Sequence, residues 1–193
     1  MSQELEIEFK TLLEEETYTR LRQDFPTSTC YKQTNYYFDT PDFQLKQLGC
    51  GLRIRVFDTY GELTLKSPQT TGLLETTDRL TLEELTDYLE HDTIKPNGEV
   101  ATYLKKLAIE ANAVHCFADL ATTRCEITLE EGLLALDESR YGTSGHDYEL
   151  ELEVDAKHAD DEHFYAFLKK YNIVYQPAQN KIQRAFAERK KNQ

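Results

Sequence analysis

The chain has 193 residues, of which 39% are hydrophobic and 30% charged, with 35 acids against 22 Lys and Arg and a net charge of -13. That length suffices for one domain whose core needs neither disulfides nor structural metal, and the acidity opposes nonspecific adhesion to nucleic acid or anionic membrane. No apolar run approaches the roughly 18 residues of a membrane span, and the opening Met-Ser-Gln-Glu-Leu-Glu offers neither the basic nor the apolar region of a secretory signal, so a cytoplasmic protein is expected.

In chain order, alternation predicts a first strand over 3–10. Thr11 and Glu14 then form a capping-box pattern for a helix running to Phe25. Strands follow over 35–39, 50–58, 61–67 and 72–79. Thr81 with Glu84 opens a helix over 82–91, and Asn97 caps one over 98–111. Three more strands are expected at 122–130, 133–139 and 147–155. Asp160 caps a helix over 161–171, in which Tyr165, Phe167 and Leu168 read as core, and Pro177 precedes a last helix from Ala178 to Lys190. With no repeat and no linker, residues 1–193 read as a single domain of α+β class with antiparallel pairing. Cys30, Cys50, Cys116 and Cys125 show no metal or redox spacing and are expected to be reduced thiols.

Residues of equal parity share one face of a strand. In the first strand Leu5, Ile7 and Phe9 oppose Glu4, Glu6, Glu8 and Lys10. Later, Leu52, Ile54 and Val56 oppose Arg53 and Arg55; Leu63 and Leu65 oppose Glu62, Thr64 and Lys66. Cys125, Ile127 and Leu129 oppose Arg124, Glu126, Thr128 and Glu130, and Leu150, Leu152 and Val154 oppose Asp147, Glu149, Glu151 and Glu153. One reading is a sheet with a core on one side and water on the other. The other is a closed sheet whose ionic faces line a wet lumen, with the helices packed on its apolar outside. Two details favour the second: acids dominate the first and late strands while Arg and Lys dominate the middle ones, and five predicted helices need an apolar surface. Crowded carboxylates call for a counter-charge, which a hard divalent cation supplies, and guanidinium forks match phosphate oxygens.

The run Glu6-Ile7-Glu8-Phe9-Lys10 resembles the E-x-E-x-K signature of the CYTH domain, also called the triphosphate tunnel metalloenzymes. The resemblance continues, in the family's order, through Tyr37-Phe38-Asp39-Thr40-Pro41-Asp42, Gly51-Leu52-Arg53-Ile54-Arg55, Leu65-Lys66, Arg124, Asp137, Glu149-Leu150-Glu151 and Lys181. It implies a closed eight-stranded antiparallel β-barrel forming a tunnel, with helices packed outside. It also implies that Lys10, Arg53, Arg55, Lys66, Arg124 and Lys181 bind a triphosphate, with Arg184 one helical turn from Lys181 as an assistant. Glu6, Glu8, Asp137, Glu149 and Glu151, with Glu153 extending the row, would hold Mg²⁺ or Mn²⁺ or position water, and Glu6, Glu8 and Lys66 are the catalytic candidates. Glu4 shares the face but sits at the start of the chain. Tyr37, Asp39 and Pro41 read as shaping a strand end and turn, and His91, His115, His146, His158 and His163 as surface or loop residues.

The leading expectation is a metal-dependent triphosphatase for inorganic tripolyphosphate or a small organic triphosphate such as thiamine triphosphate. One alternative is an adenylate cyclase of the class IV type; such cyclases carry a His-Phe pair shortly before the E-x-E-x-K run, and Met1 to Leu5 contain neither residue. The other is a non-catalytic module that binds polyphosphate or nucleotide. The expected partner is a small triphosphate or polyphosphate, with no nucleic acid and no membrane; a homodimer through an exposed barrel face is left open.

Overall fold

The computed structural model describes residues 2–141, 145–155 and 157–191. Among these residues nine strands form one antiparallel sheet: β1 (Ser2–Glu6), β2 (Glu8–Leu13), β3 (Thr29–Asp39), β4 (Gly51–Val56), β5 (Gly61–Pro68), β6 (Leu73–Leu80), β7 (His115–Thr128), β8 (Leu133–Tyr141) and β9 (Gly145–Glu153). Six helices accompany them: α1 (Glu15–Asp24), α2 (Gln44–Gln47), α3 (Leu82–His91), α4 (Glu99–Lys106), α5 (Asp161–Lys170) and α6 (Lys181–Lys191). The strand order is β1-β6-β5-β4-β3-β7-β8-β9-β2. Its two ends, β1 and β2, are consecutive in the chain, so the sheet curls into a nearly closed barrel.

This corrects the expectation of eight strands in a closed barrel. The first strand breaks at Ile7, so that Ser2–Glu6 pairs with β6 while Glu8–Leu13 pairs with β9. Ile7 itself accepts a hydrogen bond from Val154 N at 2.9 Å. One piece of chain thus serves both edges, and the sheet is left with few unpaired edge groups. Gly72, at φ 73°, sits against this break: a Cβ there would lie 2.3 Å from the Glu6 carbonyl oxygen.

The apolar faces point outward, as parity requires. Leu52, Ile54, Leu63 and Leu65 pack with Phe38 beneath α3 and α4 in one core. Leu134, Leu136, Leu150 and Leu152 pack with Leu13 beneath α1 and α5 in a second. A third, smaller group joins Tyr37, Leu120 and Tyr141 to Ala185 of α6. Helix α6 departs from the expected outside position. Its Lys181, Ile182, Gln183 and Phe186 line the barrel cavity, so it lies across one mouth.

Helix starts were partly legible. Thr81 and Glu84 form the capping box of α3, and the Asp160 side chain accepts from His163 N at 2.9 Å at the start of α5. The Thr11 box is not formed, because the β2 ladder with β9 continues to Leu13 and carries Thr11 with it. The Thr11 hydroxyl instead accepts from Gln176 N at 2.8 Å and fastens the segment that leads into α6. At α4 the cap position is Gly98, φ 101°, not Asn97; a Cβ there would lie 2.4 Å from Asp78 Oδ2. Asp78 accepts from the backbone N–H groups of Glu99 and Val100 and so caps that helix from β6. In α5, Phe167 and Leu168 are core as expected, whereas Tyr165 is exposed.

The cysteines differ from the expectation of four reduced thiols. Cys30 and Cys125 stand opposite one another in the β3–β7 register and form a disulfide. Ninety-five residues separate them, so no spacing motif announces the pair. Among the described residues no helix is long and apolar enough to cross a membrane.

Candidate active site in the barrel lumen

Inside the barrel lies a cavity of about 350 Å³. Its lining includes Glu6, Glu8, Lys10, Arg53, Arg55, Lys66, Arg124, Glu151, Glu153 and Lys181, ten of the residues singled out in the sequence. Asp137 and Glu149 stand one contact behind that lining, through Arg124 and Lys181, and Arg184 stands one contact further back, through Glu149. The side chain of Glu4 lies outside the described residues. None of the five histidines lines the cavity. Asp39 is structural as expected, accepting from the N–H groups of Thr40, Leu45 and Lys46, while Tyr37 proves to be a buried lumen residue.

The charged side chains fall into two groups. The first is built on β1, β2, β4, β5 and β6. Lys66 ion-pairs with Glu6 and, at 2.7 Å, with Glu75; Arg53 approaches Glu75 at 3.8 Å; Lys10 pairs with Glu8. Burial, opposed by Lys66 but reinforced by repulsion from Glu8 and Glu75, pushes the Glu6 carboxyl up to about 7. Against the same burial penalty, Lys66 and Arg53 bring Glu75 down to about 2. Two carboxylates thus share one ammonium, and Glu75 takes most of the benefit. Burial, with repulsion by Arg53 and Arg124, brings Arg55 down to about 10; its Nε donates to Asn35 Oδ1 at 3.1 Å.

The second group joins β7, β8, β9 and α6. Arg124 donates from Nε and Nη2 to the two oxygens of Asp137 at 2.9 and 2.7 Å, and pairs with Glu151. Lys181 pairs with Glu149, with Asp137 at 2.8 Å and with Glu151 at 2.6 Å. Arg184 reaches Glu149 and, at 3.1 Å, Asp147, and its Nε donates to the Tyr141 hydroxyl at 2.9 Å. Burial alone would neutralise such acids. Lys181 and Arg124 override it and hold Asp137 and Glu151 below the usual carboxylate range, whereas burial wins at Glu149 and raises it. Asp137, Glu149 and Glu151 each offer an oxygen within 4.8 Å of the others, a donor set of buried carboxylates that suits a hard divalent cation. Glu153 is exposed, opposite Glu8 in the register, and is outside that trio.

Two features separate Arg53 and Arg55 from the other cations. They sit on β4, halfway round the sheet from β9, and line the same cavity as Glu151, the one member of the carboxylate trio in its wall. They are also the least committed to carboxylates: the hydrogen bond of Arg55 goes to an amide, and Arg53 Nε is buried with no hydrogen-bond partner among the described residues. A buried donor left unmade is costly, and a group held in that condition inside a cavity is suited to an incoming acceptor.

Sequence reasoning passed over Glu75, Gln33 and Asn35, all of which line the cavity. Glu75 shares its β6 face with Thr77 and Arg79, a faint signal in itself. It was masked because the opposite face carries Thr76 and Asp78 in place of apolar residues. Gln33 lies in the polar first half of β3, which has no apolar alternation to announce a strand.

Comparison with known proteins matches the CYTH domain to residues 4–186. The chain belongs to the CYTH domain family. Over its whole length it is 38% identical to a Bacillus subtilis (strain 168) protein, YjbK, which is named provisionally as a triphosphatase and is covered in full. The CYTH fold is matched with a TM-score of 0.89 by a Bacillus halodurans structure described provisionally as an adenylate cyclase, at 40% identity, covering 96% of this chain and 100% of that one. HpAC1 from Hippeastrum, described as having a dominant triphosphatase activity, shares the CYTH fold at 22% identity, with a TM-score of 0.71 and coverage of 95% and 96%.

Proposed function

We propose that this CYTH domain is a metal-dependent triphosphatase that hydrolyses inorganic tripolyphosphate or a small organic triphosphate inside the barrel. The observation that carries the reading is the meeting, in one cavity, of an under-committed arginine wall with Glu151, behind which Asp137 and Glu149 complete a trio of buried carboxylates. The name given to the B. subtilis relative agrees with it.

In this reading Arg53 and Arg55 take the phosphate oxygens first, because they give up little to do so, and Lys10, Lys66 and Arg124 complete the grip. Asp137, Glu149 and Glu151 would hold Mg²⁺ or Mn²⁺, with Glu6, Glu8 and Glu153 lining the remainder of the acidic wall. When bound, such an ion supplies neutralisation of phosphate charge and activation of water for in-line displacement. The chain's own residues do the positioning. Glu6 and Glu8, fixed by Lys66 and Lys10, orient the attacking water. Lys181 and Arg184 keep Glu149 and Glu151 aimed inward and bring α6 over the mouth, which limits the entry of bulk water. On the opposite side of the lumen Arg124, Lys181 and Arg184 keep the buried carboxylates paired, so that wall need not store unpaired negative charge.

The description of the B. halodurans structure favours a cyclase as the second reading. Hydrolysis and cyclisation are separated by their products. Purified protein is incubated with ATP, thiamine triphosphate and tripolyphosphate in Mg²⁺ or Mn²⁺, and orthophosphate, pyrophosphate and cyclic AMP are resolved. The proposal expects orthophosphate from at least one substrate and no cyclic AMP. Cyclic AMP with pyrophosphate from ATP would replace it with the cyclase, and tight binding without turnover would replace it with a sensor.

A further inference from the structure

The disulfide between Cys30 and Cys125 joins β3 to β7 on the outer face of the barrel, and neither cysteine lines the lumen. Its two sulfurs sit in opposite surroundings. Cys30 is exposed, whereas Cys125 is 0% exposed and packs in the second core with Tyr18 and Leu21 of α1. Against Cys125 lies Arg22, in the last turn of α1, whose Nη1 donates to Sγ. Among the described residues Arg22 has no carboxylate partner. Its other polar neighbour is the Tyr18 hydroxyl, and its Nε is buried with no hydrogen-bond partner.

We propose that Cys30–Cys125 is a thiol–disulfide exchange site, opened by a small-molecule thiol that attacks Cys30 and expels Cys125 as a thiolate held by Arg22. The site stands apart from the reaction in the lumen.

Three observations support it. First, access selects the sulfur that is attacked. The entering thiolate approaches from the side away from the leaving sulfur, and solvent reaches Cys30 but not Cys125. Second, the guanidinium matches the opened state better than the closed one. Toward a neutral disulfide sulfur it makes a weak contact; toward a thiolate it makes a charge-assisted pair. A half-buried cation with no carboxylate, aimed at a sulfur, is complementary to the one anion that exchange creates there. A neighbouring cation lowers a thiol's pKa, and a thiolate of lower pKa leaves faster. Third, opening requires no unfolding. The two cysteines are direct partners in a ladder that runs from Thr29 opposite Glu126 to Asp39 opposite His115, and β7 is held by β8 on its other side. Backbone hydrogen bonds therefore keep the sulfurs opposed after reduction, ready to close again.

The chemistry balances with two equivalents of thiol. The first thiolate forms an S–S bond to Cys30, and the electron pair of the broken bond goes to Cys125 Sγ. A second thiolate displaces Cys30 from that mixed disulfide. Two thiols are thus oxidised to one small-molecule disulfide and the protein disulfide is reduced to a dithiol. In reverse, a small-molecule disulfide is the oxidant: it thiolates Cys30, and the Cys125 thiolate closes onto Cys30 and releases the small thiol.

The test uses the folded, oxidised protein without denaturant, with glutathione as the probe. Samples are quenched in acid, unfolded and alkylated, and each cysteine is read by peptide mass spectrometry. Wild type is expected to open under reduced glutathione and to close under oxidised glutathione. Cys125→Ser, which cannot close, is expected to retain glutathione on Cys30, and Cys30→Ser to carry at least about tenfold less on Cys125. Arg22→Met is expected to slow opening about fivefold or more, while Arg22→Lys, which keeps a cation, stays within about twofold of wild type. Rates are compared among variants that retain a cooperative thermal transition, and the two cysteine variants test the direction of attack whatever the Arg22 variants do. Opening that requires denaturant, an adduct on Cys125 in preference to Cys30, or equal opening rates in wild type and a folded Arg22→Met would overturn the proposal. Free thiols at both positions in protein treated with oxidised glutathione would do so as well.

Discussion

Replacing Lys181 with Met keeps the side-chain stem and deletes the ammonium that joins Asp137, Glu149 and Glu151. The four side chains are between 0% and 13% exposed, so the lost attraction is poorly screened. Breaking a buried pair costs about 3–5 kcal/mol. Arg124 still holds Asp137 and Glu151, and Arg184 still holds Glu149, so no carboxylate is abandoned and the low end, about 3 kcal/mol, applies. In a chelator, thermal unfolding is expected to move down by about 6–12 °C. Mn²⁺ or Mg²⁺ is then added. In the variant the ion replaces the missing positive charge, whereas in wild type it must compete with the ammonium. At about one hundred times its Kd an ion adds about 2.7 kcal/mol, enough to bring the gap between the two proteins below about 1 kcal/mol. As a control, Lys170→Met removes an exposed pair with Glu131 and an exposed contact over the Tyr171 ring and is expected to shift stability by less than about 1 kcal/mol, with no response to metal. A Lys181 variant whose deficit is untouched by metal would refute the assignment of the trio as a cation site.

Further predictions concern the remaining groups. Glu149→Gln is expected to abolish turnover more than substrate binding, and Arg53→Ala to weaken both; normal rates for both variants at saturating metal would show that chemistry lies elsewhere. Glu75, held near 2 in the fold against about 4.5 when unfolded, contributes stability that is fully present above pH 4.5 and is lost as pH falls toward 2. The gap is worth at most about 3 kcal/mol and, with the side chain 23% exposed, about 1–2 kcal/mol. Glu75→Gln should therefore be less stable than wild type by that amount in urea titrations at pH 7 in chelator, with the difference vanishing near pH 2; a constant difference would contradict the Lys66–Glu75–Arg53 arrangement. Asp160→Ala removes the cap from α5 and is expected to cost about 1 kcal/mol by the same measurement.

The lumen was legible wherever a strand carried a clean apolar face. Leu52 and Ile54, or Leu150 and Leu152, point out to the helices and so commit Arg53, Arg55, Glu149 and Glu151 to the inside. It was hidden where the outer face does another task. Asp78 faces outward on β6 to cap α4, which broke the alternation that would have exposed Glu75. Other features depend on contacts distant in sequence. The split at Ile7 follows from competition between β6 and β9 for one strand, and the Cys30–Cys125 pair follows from register. Thr11 reads as a helix cap locally and serves as a strand residue because the β9 ladder extends past it. The cross-pairing of Arg124 and Lys181 with acids could not be read from parity, which assigns a face but not a partner.

The most direct measurement is orthophosphate release from tripolyphosphate and from ATP by the purified protein, titrated with Mg²⁺ or Mn²⁺ after treatment with chelator. The account predicts no release in chelator, a rise with added metal on at least one substrate, and loss of that rise in Glu149→Gln. Release that persists in chelator, or binding of both substrates with no release at any metal concentration, would contradict it.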